Sequence, residues 1–183
     1  MRRLTWQAVV AGVGGQGVLF VTRILAEAAR RTSGRVLVSE VHGMAQRGGA
    51  VVSHLKAGPF AAPLVSPGRA RCLLALEPGE AVRNLAFLAP GAALAVDAPG
   101  PDFLSPRARR ALARHRVHIL CYDATGLARE AGSPRGANLA LTAAAAREGV
   151  LPFSPAELWR AVEAVTPPVR LEANRRLWRA ALA

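Results

Sequence analysis

The stretch Val9-Val10-Ala11-Gly12-Val13-Gly14-Gly15-Gln16-Gly17-Val18-Leu19 constrains this chain more than any other. A short apolar run, Trp6 to Ala11, has the β-branched content of a buried strand and stops at glycine. Four glycines within six positions then permit a turn that side chains would block. From Val18 the apolar residues Val18, Val21, Leu25 and Ala28 recur at the spacing of one helical face. Strand, glycine turn and helix form the opening unit of a doubly wound α/β fold, whose helix N-terminus is a natural anion site. The spacing Gly12-x-Gly14-x-x-Gly17 satisfies the dinucleotide fingerprint. The same glycines equally serve close packing of strand on helix, so the motif alone does not define a cofactor.

The pattern downstream continues the alternation. Val36 to Glu40 reads as a second strand, with Glu40 near the place where a dinucleotide fold puts its ribose-binding acid. Val41-His42-Gly43-Met44-Ala45-Gln46-Arg47-Gly48-Gly49 mixes polar, cationic and glycine residues between apolar strands, which suits a functional loop at a strand end. Ala50 to Lys56 is a third strand, alternating in its second half. A Pro/Gly-rich connector, Gly58 to Gly68, leads to Cys72–Leu76, a continuous apolar run typical of a central parallel strand. Glu77-Pro78-Gly79-Glu80 starts a helix carrying Val82, Leu85 and Leu88, and Ala92 to Val96 is the next strand. Ser105-Pro106 caps a basic helix, and Val117 to Cys121 is a last strand with Asp123 at its end.

The final third is helical. It holds an alanine-rich helix over Asn138–Arg147, and a capping box at Ser154-Pro155-Ala156-Glu157 opens a helix that stops at Pro167-Pro168. A last helix runs from Leu171 to Leu182. Trp159 and Trp178 on these helices are expected in the core. The expected fold is α/β: a three-layer sandwich with a mostly parallel, Rossmann-like sheet and a helical C-terminal segment.

At 183 residues and 51% hydrophobic, residues 1–183 are expected to form a single domain with a sizeable core. No apolar run is long enough to cross a bilayer, so a cytoplasmic protein without membrane association is expected. Cys72 and Cys121 are far apart and in apolar contexts, as buried free thiols are. There is no Cys-x-x-Cys to ligate an iron–sulfur cluster, and His42, His54, His115 and His118 show no metal-ligand spacing. The formal charge of +12 raises nucleic acid as a partner. However, Lys56 is the only lysine, aromatics are 5%, and the arginines lie along helices as solvated faces. No nucleic-acid partner is expected, and an acidic protein explains the charge at least as well.

No residue is singled out as catalytic. His42 and Arg47 are the candidates: His42 as a base near neutrality, Arg47 as a fork for phosphate or carboxylate, or as a bridge to an acidic surface. The Gln16 amide and neighbouring N–H groups are placed to meet an anion. No Ser/His/Asp or Cys/His set and no paired carboxylates stand at a defensible spacing. The chain presents a binding face and no self-sufficient active site.

Gly12-Val13-Gly14-Gly15-Gln16-Gly17, followed by Ser39 to Gly49, resembles the gamma-type subunit or domain of 2-oxoacid:ferredoxin oxidoreductases. The His-Gly-Met-x-Gln-Arg-Gly-Gly wording is most similar to the beta subunit of indolepyruvate ferredoxin oxidoreductase. The likeness spans nearly the whole chain, including Gly136-Ala137-Asn138 and, more weakly, Glu172-Ala173-Asn174. It implies a subunit, inactive alone, of an enzyme that oxidatively decarboxylates a 2-oxoacid, makes an acyl-coenzyme A and reduces ferredoxin. Thiamine diphosphate, magnesium and iron–sulfur clusters then reside on partner subunits, coenzyme A is a co-substrate, and this chain holds no cofactor. The resemblance implies that Gly12, Gly14, Gly15, Gln16, Gly17, Glu40, His42, Gly43, Met44, Gln46, Arg47, Gly48 and Gly49 face a partner or ligand, with both loops at the carboxyl ends of adjacent strands. Such a surface is also expected to allow self-association of the isolated chain. The other reading is a free-standing Rossmann-type protein that binds NAD or FAD through Gly12–Gly17 and Glu40.

Overall fold

A computed structural model of the chain describes residues 4–43 and 48–183. The elements are β1 (Trp6–Val13), α1 (Val18–Ser33), β2 (Val36–His42), β3 (Ala50–Ala57), β4 (Ala70–Ala75), α2 (Pro78–Asn84), β5 (Leu88–Asp97), α3 (Pro106–Arg114), β6 (His118–Tyr122), α4 (Ala124–Glu130), α5 (Ala137–Arg147), α6 (Pro155–Val165) and α7 (Pro168–Leu182). The six strands form one sheet in the order β2-β3-β1-β4-β5-β6. β1, β4, β5 and β6 are parallel, while β3 is antiparallel to both its neighbours, β1 and β2. The mostly parallel sheet expected from the sequence therefore contains one reversed strand. The reversal brings the carboxyl ends of β1 and β2 and the start of β3 to one edge of the sheet.

Helices cover both faces. One core joins Val10, Ile24, Leu25, Leu55, Leu74, Leu139, Leu158 and Leu177. The other joins Val9, Leu73, Leu94, Val96, Leu104 and Leu112 across the sheet. Alternate residues of β1 thus point into different cores, which is why its sequence is continuously apolar. Helix α5 is buried from Asn138 to Ala146. Its alanines let α4, α6 and α7 pack close around it, so it shows no amphipathic stripe. Trp178 is buried and lies 5.7 Å from the half-buried Trp159, centroid to centroid, joining α6 to α7.

Local signals were accurate at the caps. Ser105 accepts from Ala108 N–H at 3.2 Å, and the Ser154/Glu157 capping box is present in both directions. Three expectations are corrected. Leu88 does not extend α2 but opens β5, because the helix ends at Asn84 and the strand passes through a register shift at Pro90-Gly91. Asp123 does not merely end a strand: its carboxylate accepts Gly126 N–H at 2.8 Å and starts the short helix α4. Pro168 does not only stop α6; it is the first residue of α7, where its missing N–H costs nothing.

The alternation in β3 has both faces covered. Leu55 and Ala57 pack into the core beneath α1. On the other face, His54 Nδ1 accepts Val65 N–H at 3.3 Å, and the Phe87 ring stands edge-on at 5.1 Å. Lys56 Nζ lies 5.2 Å over Phe60. His54 and Lys56 thus hold the connector against the sheet. Burial, and then the Lys56 charge, lower the His54 pKa below its ordinary value. The unfolded chain therefore takes up this proton first as pH falls, so the stability held above about pH 6.5 is lost toward the folded-state value. The denaturation midpoint is expected to drop between about pH 7 and pH 5, a loss that His54→Gln removes. Glu27 and Glu157, whose pKa values are lowered by Arg30 and by Ser154, act only at more acidic pH. An unchanged pH slope in the variant would assign the proton elsewhere.

Candidate functional site

The site is built around the turn between β1 and α1. Gln16 closes it twice: its N–H donates to Val13 O at 3.1 Å, and its Oε1 accepts Val13 N–H at 2.7 Å. Gly12 sits beneath this closure. A Cβ there would lie 2.9 Å from Gln16 Oε1, 3.0 Å from Val18 Cγ2 and 3.1 Å from Leu76 Cβ, so the strand, turn and helix can meet only at glycine. Gly17 is the N-cap of α1 at φ +87°, a left-handed conformation, and its missing Cβ makes room for the Asn138 amide. Asn138, buried in the first turn of α5, donates through Nδ2 to Gln16 O at 2.8 Å. Thr142 Oγ1 in turn bonds Asn138 O at 2.7 Å.

The second loop is tied to this turn. Gly14 N–H donates to Gly49 O at 2.9 Å, and Gly43 N–H donates to Ala50 O at 2.8 Å. These bonds hold both ends of the segment between Gly43 and Gly48 at the edge of the sheet. His42 and Glu40 are exposed, on β2. Met44, Gln46 and Arg47 lie outside the described residues. Gly15 is exposed at φ +96° with open space around it, and Gly48 is exposed at φ +69°.

Two placements differ from expectation. β1 and β2 are not adjacent, since β3 lies between them; the loops meet through the start of β3. Glu40 is therefore two strand spacings from β1, about 9–10 Å, and not beside the glycine turn as a ribose-binding acid would be. Gln16 also directs its amide oxygen inward, and the N–H groups of Val13, Gly14 and Gln16 are all used within the protein.

Three acids near the strand ends, Glu77, Asp97 and Asp123, serve the fold. Glu77 caps α2 by accepting Glu80 N–H at 2.8 Å, and Asp97 accepts the N–H and hydroxyl of Thr125 at 3.0 and 2.6 Å. Asp123 caps α4. Among the described residues no group of three His, Cys, Asp or Glu could hold a metal ion. Cys72 is fully buried, with its thiol pushed up to about 12, and the Cys121 thiol is also raised by burial. Two protonated thiols on different strands do not fit an iron–sulfur cluster. No helix among the described residues is long and apolar enough to cross a membrane. The residue that spacing could not reveal is Asn138, whose partner is 122 positions away.

Residues 7–183 match the family described as pyruvate ferredoxin/flavodoxin oxidoreductase, and the chain belongs to that family. It is 30% identical to an indolepyruvate oxidoreductase subunit IorB from Thermococcus kodakarensis, covering 93% of this chain and 91% of that protein. A subunit of the same name from Pyrococcus horikoshii is 30% identical, covering 92% and 90%. The IorB of Archaeoglobus fulgidus is 51% identical over 80 residues, 44% of this chain and 40% of that one. Among solved structures, the gamma subunit of a keto/oxoacid ferredoxin oxidoreductase from Geobacter sulfurreducens superposes with a TM-score of 0.72 at 26% identity, covering 97% and 96%. Pyruvate oxidoreductase subunit PORC from Thermotoga maritima shares the fold, with a TM-score of 0.73 at 20% identity over 97% and 95%.

Two measurements follow. Gly17→Ala is expected to cost about 2 kcal/mol or more in chemical denaturation, because it adds a clash with Asn138 to backbone strain. Gly15→Ala meets open space and should cost about 1 kcal/mol. Removing the amide with Asn138→Ala in the Gly17→Ala background should recover part of the loss, as a double-mutant cycle would show. Separately, NAD, NADP and FAD are expected to leave the melting temperature unchanged. A ligand binding at a hundredfold excess over Kd would add about 2.7 kcal/mol.

Proposed function

We propose that this chain is the gamma-type subunit of a thiamine diphosphate-dependent 2-oxoacid:ferredoxin oxidoreductase, with indolepyruvate or another aryl pyruvate as the substrate class. The reaction is oxidative decarboxylation of the 2-oxoacid to an acyl-coenzyme A, with electrons passed to ferredoxin. The observation that carries the reading is the similarity to two subunits named indolepyruvate oxidoreductase, which extends over at least nine-tenths of each chain. The chemistry of the donor set agrees with it, since one buried and one half-buried thiol on separate strands fit no cluster here. In this reading thiamine diphosphate, magnesium and the clusters are held by partner subunits, and coenzyme A is a co-substrate of the complex. This chain, a single domain over residues 1–183, acts in the cytoplasm and is inactive alone.

Its contribution is the carboxyl edge of the sheet. The two glycine-rich loops are bonded to each other through Gly14 and Gly49, which supports their acting as one surface. Gly12, Gly14, Gly15, Gln16 and Gly17 shape that surface, and Glu40, His42, Gly43, Met44, Gln46, Arg47, Gly48 and Gly49 supply its polar and cationic character. A guanidinium at Arg47 suits a carboxylate or phosphate on the partner side.

The test is reconstitution. The purified chain is mixed with its cofactor-bearing partner and assayed for 2-oxoacid- and coenzyme A-dependent reduction of ferredoxin or a dye. Activity is expected only in the mixture, and highest with aryl pyruvates. Arg47→Ala is expected to lower assembly or activity at least tenfold while the isolated chain melts as the wild type does. Normal assembly and full activity in that variant would remove the partner-facing role. Activity confined to other 2-oxoacids would reassign the substrate.

A further inference from the structure

β2 is an edge strand, and among the described residues nothing pairs on its outer side. The bonds that flank it fix which of its backbone groups are free. Gly43 N–H donates to Ala50 O at its carboxyl end, and Gly58 N–H donates to Arg35 O at 3.0 Å at its start. In an antiparallel ladder, bonded pairs alternate with non-bonded ones, so residues 35, 37, 39, 41 and 43 bond to β3. The N–H and C=O groups of Val36, Val38, Glu40 and His42 therefore point outward, away from the sheet.

Apart from the exposed Glu40, this edge carries none of the usual guards against pairing. A chain with 24 lysines and arginines and 13 prolines places none of them between Val36 and His42. Instead Val38 and Val41, on opposite faces of the strand, are 39% and 49% exposed. Two of the five exposed large hydrophobic residues among the described residues thus stand on this strand. Such an edge is suited to receiving a strand.

A second copy is a poor occupant. Seven residues of strand pairing bury little beside the roughly 1,200 Å² of a standard interface. Two copies would also bring together chains of net charge +12 each. An acidic partner meets the charge, and β2 runs directly into His42 and Gly43, the start of the loop assigned above to the partner. We propose that the cofactor-bearing partner subunit adds an extended strand to the open edge of β2, with apolar side chains covering Val38 and Val41. This inference rests on the subunit reading.

The test uses a proline at an outward N–H. Proline is tolerated on an edge strand where its nitrogen faces away from the ladder. In titrations of the reconstituted complex, Val38→Pro is expected to weaken binding to the partner subunit roughly tenfold or more, since a ladder bond and its register are lost. The isolated variant should melt within a few degrees of the wild type. Val38→Lys, which guards the edge without touching the backbone, is expected to weaken binding similarly, while Val38→Thr binds as the wild type. Wild-type affinity in both Val38→Pro and Val38→Lys would overturn the strand addition and leave the subunit reading standing. A self-association of the wild type that Val38→Pro abolishes, with partner binding unaffected, would give the edge to a second copy. Absence of any binding between the wild-type chain and the partner subunit would overturn both readings together.

Discussion

The amide of Asn138 on the carbonyl of Gln16 is the contact on which the functional edge depends. It joins the first turn of α5 to the glycine turn before α1, across most of the chain. The turn has no side-chain cap at its helix, because the capping position is a left-handed glycine. What would otherwise be a loose glycine-rich loop is held from three directions: by Gln16 folding back on Val13, by Asn138, and by Gly49. A buried, satisfied polar contact of this kind specifies one arrangement, since each group left unpaired would cost about 1–3 kcal/mol. Glycine at positions 12 and 17 is then a packing requirement before it is a binding motif.

The reversed strand β3 decides what the edge can do. A dinucleotide fold sets its second parallel strand beside the first, so that the acid at its end reaches the ribose. Here β3 is inserted between β1 and β2 and carries Glu40 outward with β2. The insertion replaces the cofactor crevice with a joint between two loops, at Gly14 and Gly49. One change in strand direction thus joins the glycine turn to the start of β3 and moves Glu40 one strand further out.

This contrast explains what the sequence could reveal. β1, the glycine turn, α1 and the capped helices at Ser105 and Ser154 were legible because their signals are local: period, β-branching, and a cap within three residues. The three-layer class followed from their alternation. Strand direction has no local signature, so Ala50–Ala57 could be recognised as a strand but not as a reversed one. Leu88 stands three residues after Leu85 and mimics a helical face, yet Pro90-Gly91 belongs within the strand that Leu88 opens. The alternation of Ser53, His54, Leu55 and Lys56 gave no warning that both faces are covered. That depends on Val65 of the connector, eleven residues later, reaching His54. Asn138 carries no local signal, because its partner Gln16 is reached only through tertiary structure.

The charge follows the same division between local and distant causes. Arginines populate the exposed sides of helices such as α3, while the edge formed by β2 is nearly free of charge. Long-range attraction to an acidic partner depends on net charge and acts at a distance of about a Debye length, roughly 8–10 Å. The short-range fit depends on apolar side chains and free backbone groups, which a coat of arginine would obstruct by drawing water and repelling a second cation. On the reading proposed above, a basic surface around a strand whose one acidic residue is Glu40 separates two tasks: charge draws an acidic surface close, and the strand edge selects what docks. The single lysine takes no part in this, because it is buried over Phe60 and holds the connector.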